Sequence, residues 1–138
     1  MTAALAAGAA YFAIVFAVGF VLGAVRVLAL VPRLGATGAV LVELPVMLAV
    51  SWLVCGWLLE RFAVSRAWTH RLVMGGAAFL LLMLAELGMS IFVFDRSVAE
   101  HLGSYRSWDA ALGLAAQLAF AAFPLVRRKR TPPATVAP

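Results

Sequence analysis

Apolar residues fill four long runs of this chain, and the polar residues collect between them. The runs extend over about 5–31, 37–59, 72–94 and 110–126. None shows the strict alternation of a half-buried strand, and each is apolar on nearly every helical face. About 20 apolar residues rising 1.5 Å each cross a hydrocarbon core of roughly 30 Å. The last run is the shortest and is expected to stand nearly upright. The pattern predicts an all-α, polytopic membrane protein: an antiparallel bundle of four transmembrane helices forming one domain over residues 1–130.

Local signals set the expected boundaries. Pro32 and Gly35 close the first run, Thr37 is placed to cap the second, and Glu60 and Arg61 mark its exit. Gly75 and Gly76 lie just inside the third. Ser97 with Glu100 three residues later reads as a capping box for a short interfacial turn, and Ser107 with Asp109 as the cap and acidic first turn of the last helix. Gly8, Phe12, Val15, Gly19 and Arg26 share one face of the first run. Gly19 and Gly23 form a G-x-x-x-G pair suited to close helix approach. Met1 to Ala10 carries no Lys or Arg and no convincing cleavage site follows it, so a retained first helix is expected rather than a signal peptide.

Composition strengthens this reading. Of 138 residues, 65% are hydrophobic and only 12% charged, too little polar surface for a water-soluble domain. The formal net charge is +5, and Arg127, Arg128, Lys129 and Arg130 supply four cations in one run. That run reads as a stop-transfer signal facing anionic lipid headgroups. No basic groove with interleaved aromatics accompanies it, so no nucleic-acid partner is expected. Residues 131–138 are expected to form a disordered cytoplasmic tail. With four spans, Arg61, Arg66, Arg71 and the C-terminal run share one side. Only Arg33, Arg96, Arg106 and, near the boundary, Arg26 stand on the other. The positive-inside rule then places both termini in the cytoplasm. Cys55 is the only cysteine and is expected to be a buried structural thiol; His101 is expected at the surface.

The topology brings the stray polar residues to one depth. At 1.5 Å per residue, Arg26 lies about 6 Å from the outer end of its helix, Glu43 about 10 Å and Glu86 about 12 Å, with Gln117 level with Glu86. A charge at the centre of a transmembrane helix costs roughly 2.5–3.5 kcal/mol on insertion scales, so each carboxylate needs a positive partner, a proton, water or a bound cation. One arginine matches only one of the two acids. Glu43 and Arg26 are assigned as the fixed pair and Glu86 as the titrating or ligand-facing member, oriented by Ser90 and Gln117. The reverse assignment of the two glutamates fits the sequence nearly as well, and Arg26 could instead reach the interface. Pro45 beside Glu43 is expected to kink the second helix.

In the motifs R-x-L-x-L-x-P-R-x-G from Arg26 to Gly35, E-L-P-V-M-L from Glu43, A-E-L-G-M-S around Glu86 and A-A-Q-L-A-F-A-A-F-P around Gln117, the whole chain resembles small four-helix inner-membrane proteins of bacteria without an assigned function. The resemblance implies the topology and the bacterial inner membrane, and no activity. Small multidrug exporters are similar only in size and helix count: their essential acid lies in the first helix, where this chain has Arg26. No H-E-x-x-H, G-x-S-x-G, nucleotide loop or metal cluster appears, so neither enzyme activity, cofactor nor metal is expected. The leading functional expectation is a small structural or accessory membrane protein, as a homo-oligomer or within a larger complex, whose polar layer fixes helix packing. The alternative is a proton-coupled transporter or small-solute-binding membrane protein using Glu86, Glu43 and Arg26.

Overall fold

In the computed structural model, which describes residues 1–127, the chain is all-helical. The elements are α1 (Thr2–Val25), a π-helical turn (Arg26–Leu30), α2 (Val31–Arg61), α3 (Trp68–Phe92), the short α4 (Val98–Ser104) and α5 (Trp108–Val126). Among the described residues, three helical stretches are long and apolar enough to cross a membrane: Thr2–Arg61, Trp68–Phe92 and Trp108–Val126. Arg128, Lys129, Arg130 and the tail 131–138 lie outside the described residues.

The first stretch has 60 residues, about 90 Å if straight, but it turns back on itself. The hairpin is shown by Met47, whose Cε would lie 3.2 Å from a Cβ at Gly19, and by Arg26 beside Glu43. The reversal takes place at Gly35, the one residue inside α2 with non-helical dihedrals (φ 72°, ψ 172°). Only glycine enters that region without strain.

Helical dihedrals run from α1 through the π turn and Pro32, and the break falls three residues later, at Gly35, the second of the two residues expected to close the first run. Thr37 makes no capping hydrogen bond, and the non-helical residue stands two positions before it, at Gly35. Pro45 lies inside α2 with helical dihedrals around it. The other caps form as expected. Ser97 Oγ accepts from the Glu100 N–H at 3.2 Å while Glu100 Oε2 accepts from the Ser97 N–H at 2.7 Å, and Ser107 Oγ accepts from the Ala110 N–H at 3.3 Å.

Packing runs around a four-sided cross-section in which α1 touches α2 and α3, and α5 touches the same two. Glycines set the closest approaches. A Cβ at Gly8 would lie 2.7 Å from the Met74 carbonyl oxygen on α3, and one at Gly75 would collide with the Ala121 carbonyl on α5. Gly23, by contrast, faces open space, so the G-x-x-x-G pair does not act as a unit. The core joins Tyr11, Cys55, Leu58, Met74 and Phe120. Tyr11 stacks on Phe120 at 4.2 Å between ring centroids and donates its hydroxyl to the Phe120 carbonyl at 3.1 Å, closing the centre from α1 to α5. Cys55 is fully buried there as a free thiol. Large apolar side chains such as Leu28, Leu53, Phe92 and Val126 point outward, the inverse of a water-soluble protein.

Near the other end of α5 the helix carbonyls find an unusual partner. The Arg71 guanidinium donates to the Pro124 carbonyl at 2.9 Å and also to the Arg127 carbonyl. This satisfies groups that a helix C-terminus leaves open and sets a cation at its negative pole. Arg71 therefore turns inward, although it was counted with the loop cations. Arg127 in turn lies over the Trp52 ring, 4.9 Å from its centroid, and donates to the Trp52 carbonyl.

Candidate functional site

The second half of α1, the π turn, α2 from Val40 to Ser51, α3 around Leu82 and Glu86, the α4 connection and α5 as far as Phe120 line a cavity of about 510 Å³. Arg26, Glu43, Glu86 and Gln117 all line it. The two supporting residues part company with them: neither Pro45 nor Ser90 is among the lining residues, and Ser90 is buried with its hydroxyl unbonded. The expected help from Ser90 in orienting Glu86 is thus replaced by something else.

Each polar side chain reaches the cavity for a local reason. At Arg26 the backbone changes to π spacing, so that the Val31 N–H bonds to the Arg26 carbonyl five residues back. Such turns insert an extra residue and re-aim the side chains around them. The hairpin at Gly35 then lays α2 beside this turn, and Arg26 Nε stands 3.1 Å from Glu43 Oε2. The Glu43 side chain is only 14% exposed, against 36% for Arg26, so the acid is the inward member of the pair. Charge attraction holds this contact, for Oε2 accepts no aligned hydrogen bond among the described residues.

Glu86 stands on the opposite wall with a different set of neighbours. Gln117 reaches it from α5, and Gln117 Nε2 donates to Glu86 Oε1. The second carboxyl oxygen, Oε2, accepts from the Tyr105 hydroxyl at 3.4 Å. That hydroxyl also lies 3.5 Å from His101 Nε2, and the two rings meet edge to face at 5.4 Å. A polar chain therefore leads from His101 on α4, through Tyr105, to Glu86 and Gln117. Partial burial first, and then the Glu86 charge and hydrogen bond, push the Tyr105 phenol above its ordinary value, which keeps it a donor.

Tyr105, His101 and Asp109 were not among the expected site residues. Ser104 and Ser107 join them in lining the cavity. Tyr105 stands just past a seven-residue helix, and nothing in its own neighbourhood marks it as facing a site. The available signal was the capping box, since a helix fixed at Ser97 and Glu100 sets where His101 and Tyr105 point. His101 is half-buried rather than at the surface.

The acceptors outnumber the donors. Among the described residues, Asp109 Oδ1 and Gln117 Oε1 are buried and accept no hydrogen bond. No group of three or more His, Cys, Asp or Glu side chains is arranged to hold a metal ion among these residues. Apolar side chains complete the wall, including Val15, Phe16, Leu44, Leu82 and Phe120. A cavity of this size, mostly apolar with a few convergent polar groups, has the usual build of a small-molecule site. No family model, no curated protein and no solved structure matches the chain.

Proposed function

We propose that the chain is a multi-pass protein of a bacterial inner membrane whose four helices form an antiparallel bundle around a small-solute binding site. Both termini lie in the cytoplasm, and the site opens on the outer side beside α4 and the Gly35 turn. The observation that carries this reading is the single cavity onto which Arg26, Glu43, Glu86 and Gln117 converge. Four polar residues needed only as packing contacts could be spread over several helix interfaces; here they share one space large enough for a ligand.

A packing role is the second reading, favoured by the contacts themselves. The Arg26–Glu43 pair fastens the first hairpin, and the Gln117–Glu86 bond fastens α3 to α5. The two readings separate experimentally. Gly113 lines the cavity, and a Cβ built there meets no atom within 4 Å. In a Cys55→Ser background, a Gly113→Cys thiol is expected to react with a small neutral methanethiosulfonate added to intact cells and to be blocked by prior treatment with a membrane-impermeant thiol reagent. Absence of reaction in a protein of normal abundance would rule out the binding site and leave the packing role.

A further inference from the structure

From the charge around this cavity we infer that its ligand is a hydrophobic organic cation, an amphiphile with an ammonium or similar head. The inference rests on the reading of the cavity as a solute site. Every ionisable group facing the space can be named: Arg26 from the π turn, Glu43 from α2, Glu86 from α3, His101 from α4, Tyr105 from the connection and Asp109 from α5. Three acidic side chains, Glu43, Glu86 and Asp109, and one guanidinium, that of Arg26, face it.

The imbalance is not removed by the hydrogen bonds present. Arg26 is engaged with Glu43 at 3.1 Å. Glu86 is held by Gln117 and Tyr105, two donors that bring no positive charge beside it. Asp109 Oδ1 and Gln117 Oε1 are buried with no donor among the described residues. Unfilled acceptors and an excess of acidic over basic side chains in one cavity favour a cation that brings its own N–H groups or polarised C–H groups.

The walls decide what kind of cation. An inorganic ion needs several oxygens converging at about 2.0–2.6 Å, and among the described residues no three acidic, histidine or cysteine side chains are so arranged. Val15, Leu44 and Leu82 offer apolar contact, and the rings of Phe16, Phe120 and Tyr105 offer faces on which an ammonium group is stabilised. A free anion would meet the same acids and be repelled.

The test uses the full-length Cys55→Ser, Gly113→Cys protein in nanodiscs and asks which probe slows labelling of its thiol by a neutral methanethiosulfonate. Three probes share a phenyl group and differ in charge: benzyltrimethylammonium; neopentylbenzene, in which carbon replaces the ammonium nitrogen; and phenylmethanesulfonate. The expected result is half-protection by the cation at a concentration at least tenfold below either other probe. Glu86→Gln should raise that concentration tenfold or more, while Glu86→Asp, which keeps the carboxylate, should largely preserve it. Equal or better protection by the neutral or anionic probe overturns the inference and leaves the solute site standing. Labelling that no probe slows also overturns the cation inference. A thiol that does not react at all removes the site itself.

Discussion

At the scale of single residues, the decisive positions are those whose chemistry conflicts with their surroundings. Gly35 carries the reversal that brings Arg26 to Glu43, and it does so at φ 72° and ψ 172°. Since a Cβ there would touch nothing within 4 Å, the cost of a side chain is one of backbone conformation alone. Gly35→Ala is expected to lower stability by about 1–3 kcal/mol, measured by unfolding in mixed micelles. Gly23→Ala, at a helical position equally open, should lose nothing and serves as the reference. Equal behaviour of the two variants would mean that the hairpin does not depend on the Gly35 conformation. The residue scale also shows where sequence reasoning reached and where it stopped. Arg26, Glu43, Glu86 and Gln117 stood out because charge and amide are costly in apolar runs. Tyr105, His101 and Asp109 lie in polar stretches where such residues are ordinary, so only their spatial neighbours mark them.

Among the α-helices, α4 is the shortest, and its His101 and Ser104 line the cavity. Seven residues do not hold a helix in isolation, so its caps and its packing on α3 and Glu86 carry it. The Ser97 backbone N–H, and then its hydroxyl, hold the Glu100 carboxyl below the usual carboxylate range. A carboxyl whose folded value is depressed stabilises the fold at every pH above its unfolded value and loses that contribution as pH falls through the folded one. Protection of the α4 amides against hydrogen exchange, corrected for intrinsic rate, is therefore expected to drop on acidification below the ordinary carboxylate range. In Glu100→Ala the protection should be low throughout and its pH dependence flattened; an unchanged profile would sever the link between the capping box and α4. The elements also show how the turn was legible: Pro32 and Gly35 mark it in the sequence, and the non-helical dihedrals fall on Gly35, because only glycine takes φ 72° without strain.

For the molecule as a whole, the proposed orientation rests on cations, and Arg71 and Arg127 qualify it. Both engage carbonyl groups of the protein, at the C-terminal end of α5 and at Trp52. The remaining excess on that side comes from Arg61, Arg66 and the run Arg128, Lys129 and Arg130. Replacing those three C-terminal cations by Gln is accordingly expected to weaken the preference for a cytoplasmic C-terminus, read as a rise in the activity of a C-terminal alkaline phosphatase fusion. Arg71→Gln should instead leave the topology unchanged and lower detergent stability, because its guanidinium serves the α5 carbonyls.

The sequence by itself determined the helical class, the apolar runs, the two serine caps and the four polar residues that now share a cavity. These follow from local chemistry: backbone groups seek hydrogen bonds, apolar runs avoid water, and misplaced charges announce themselves. Only the tertiary structure decided that Gly8 and Gly75 rather than Gly19 and Gly23 set the closest helix approaches, and that Tyr105 instead of Ser90 attends Glu86. Those outcomes depend on which helix lies against which and at what rotation. Many small packing terms fix that arrangement together, and no single residue records them.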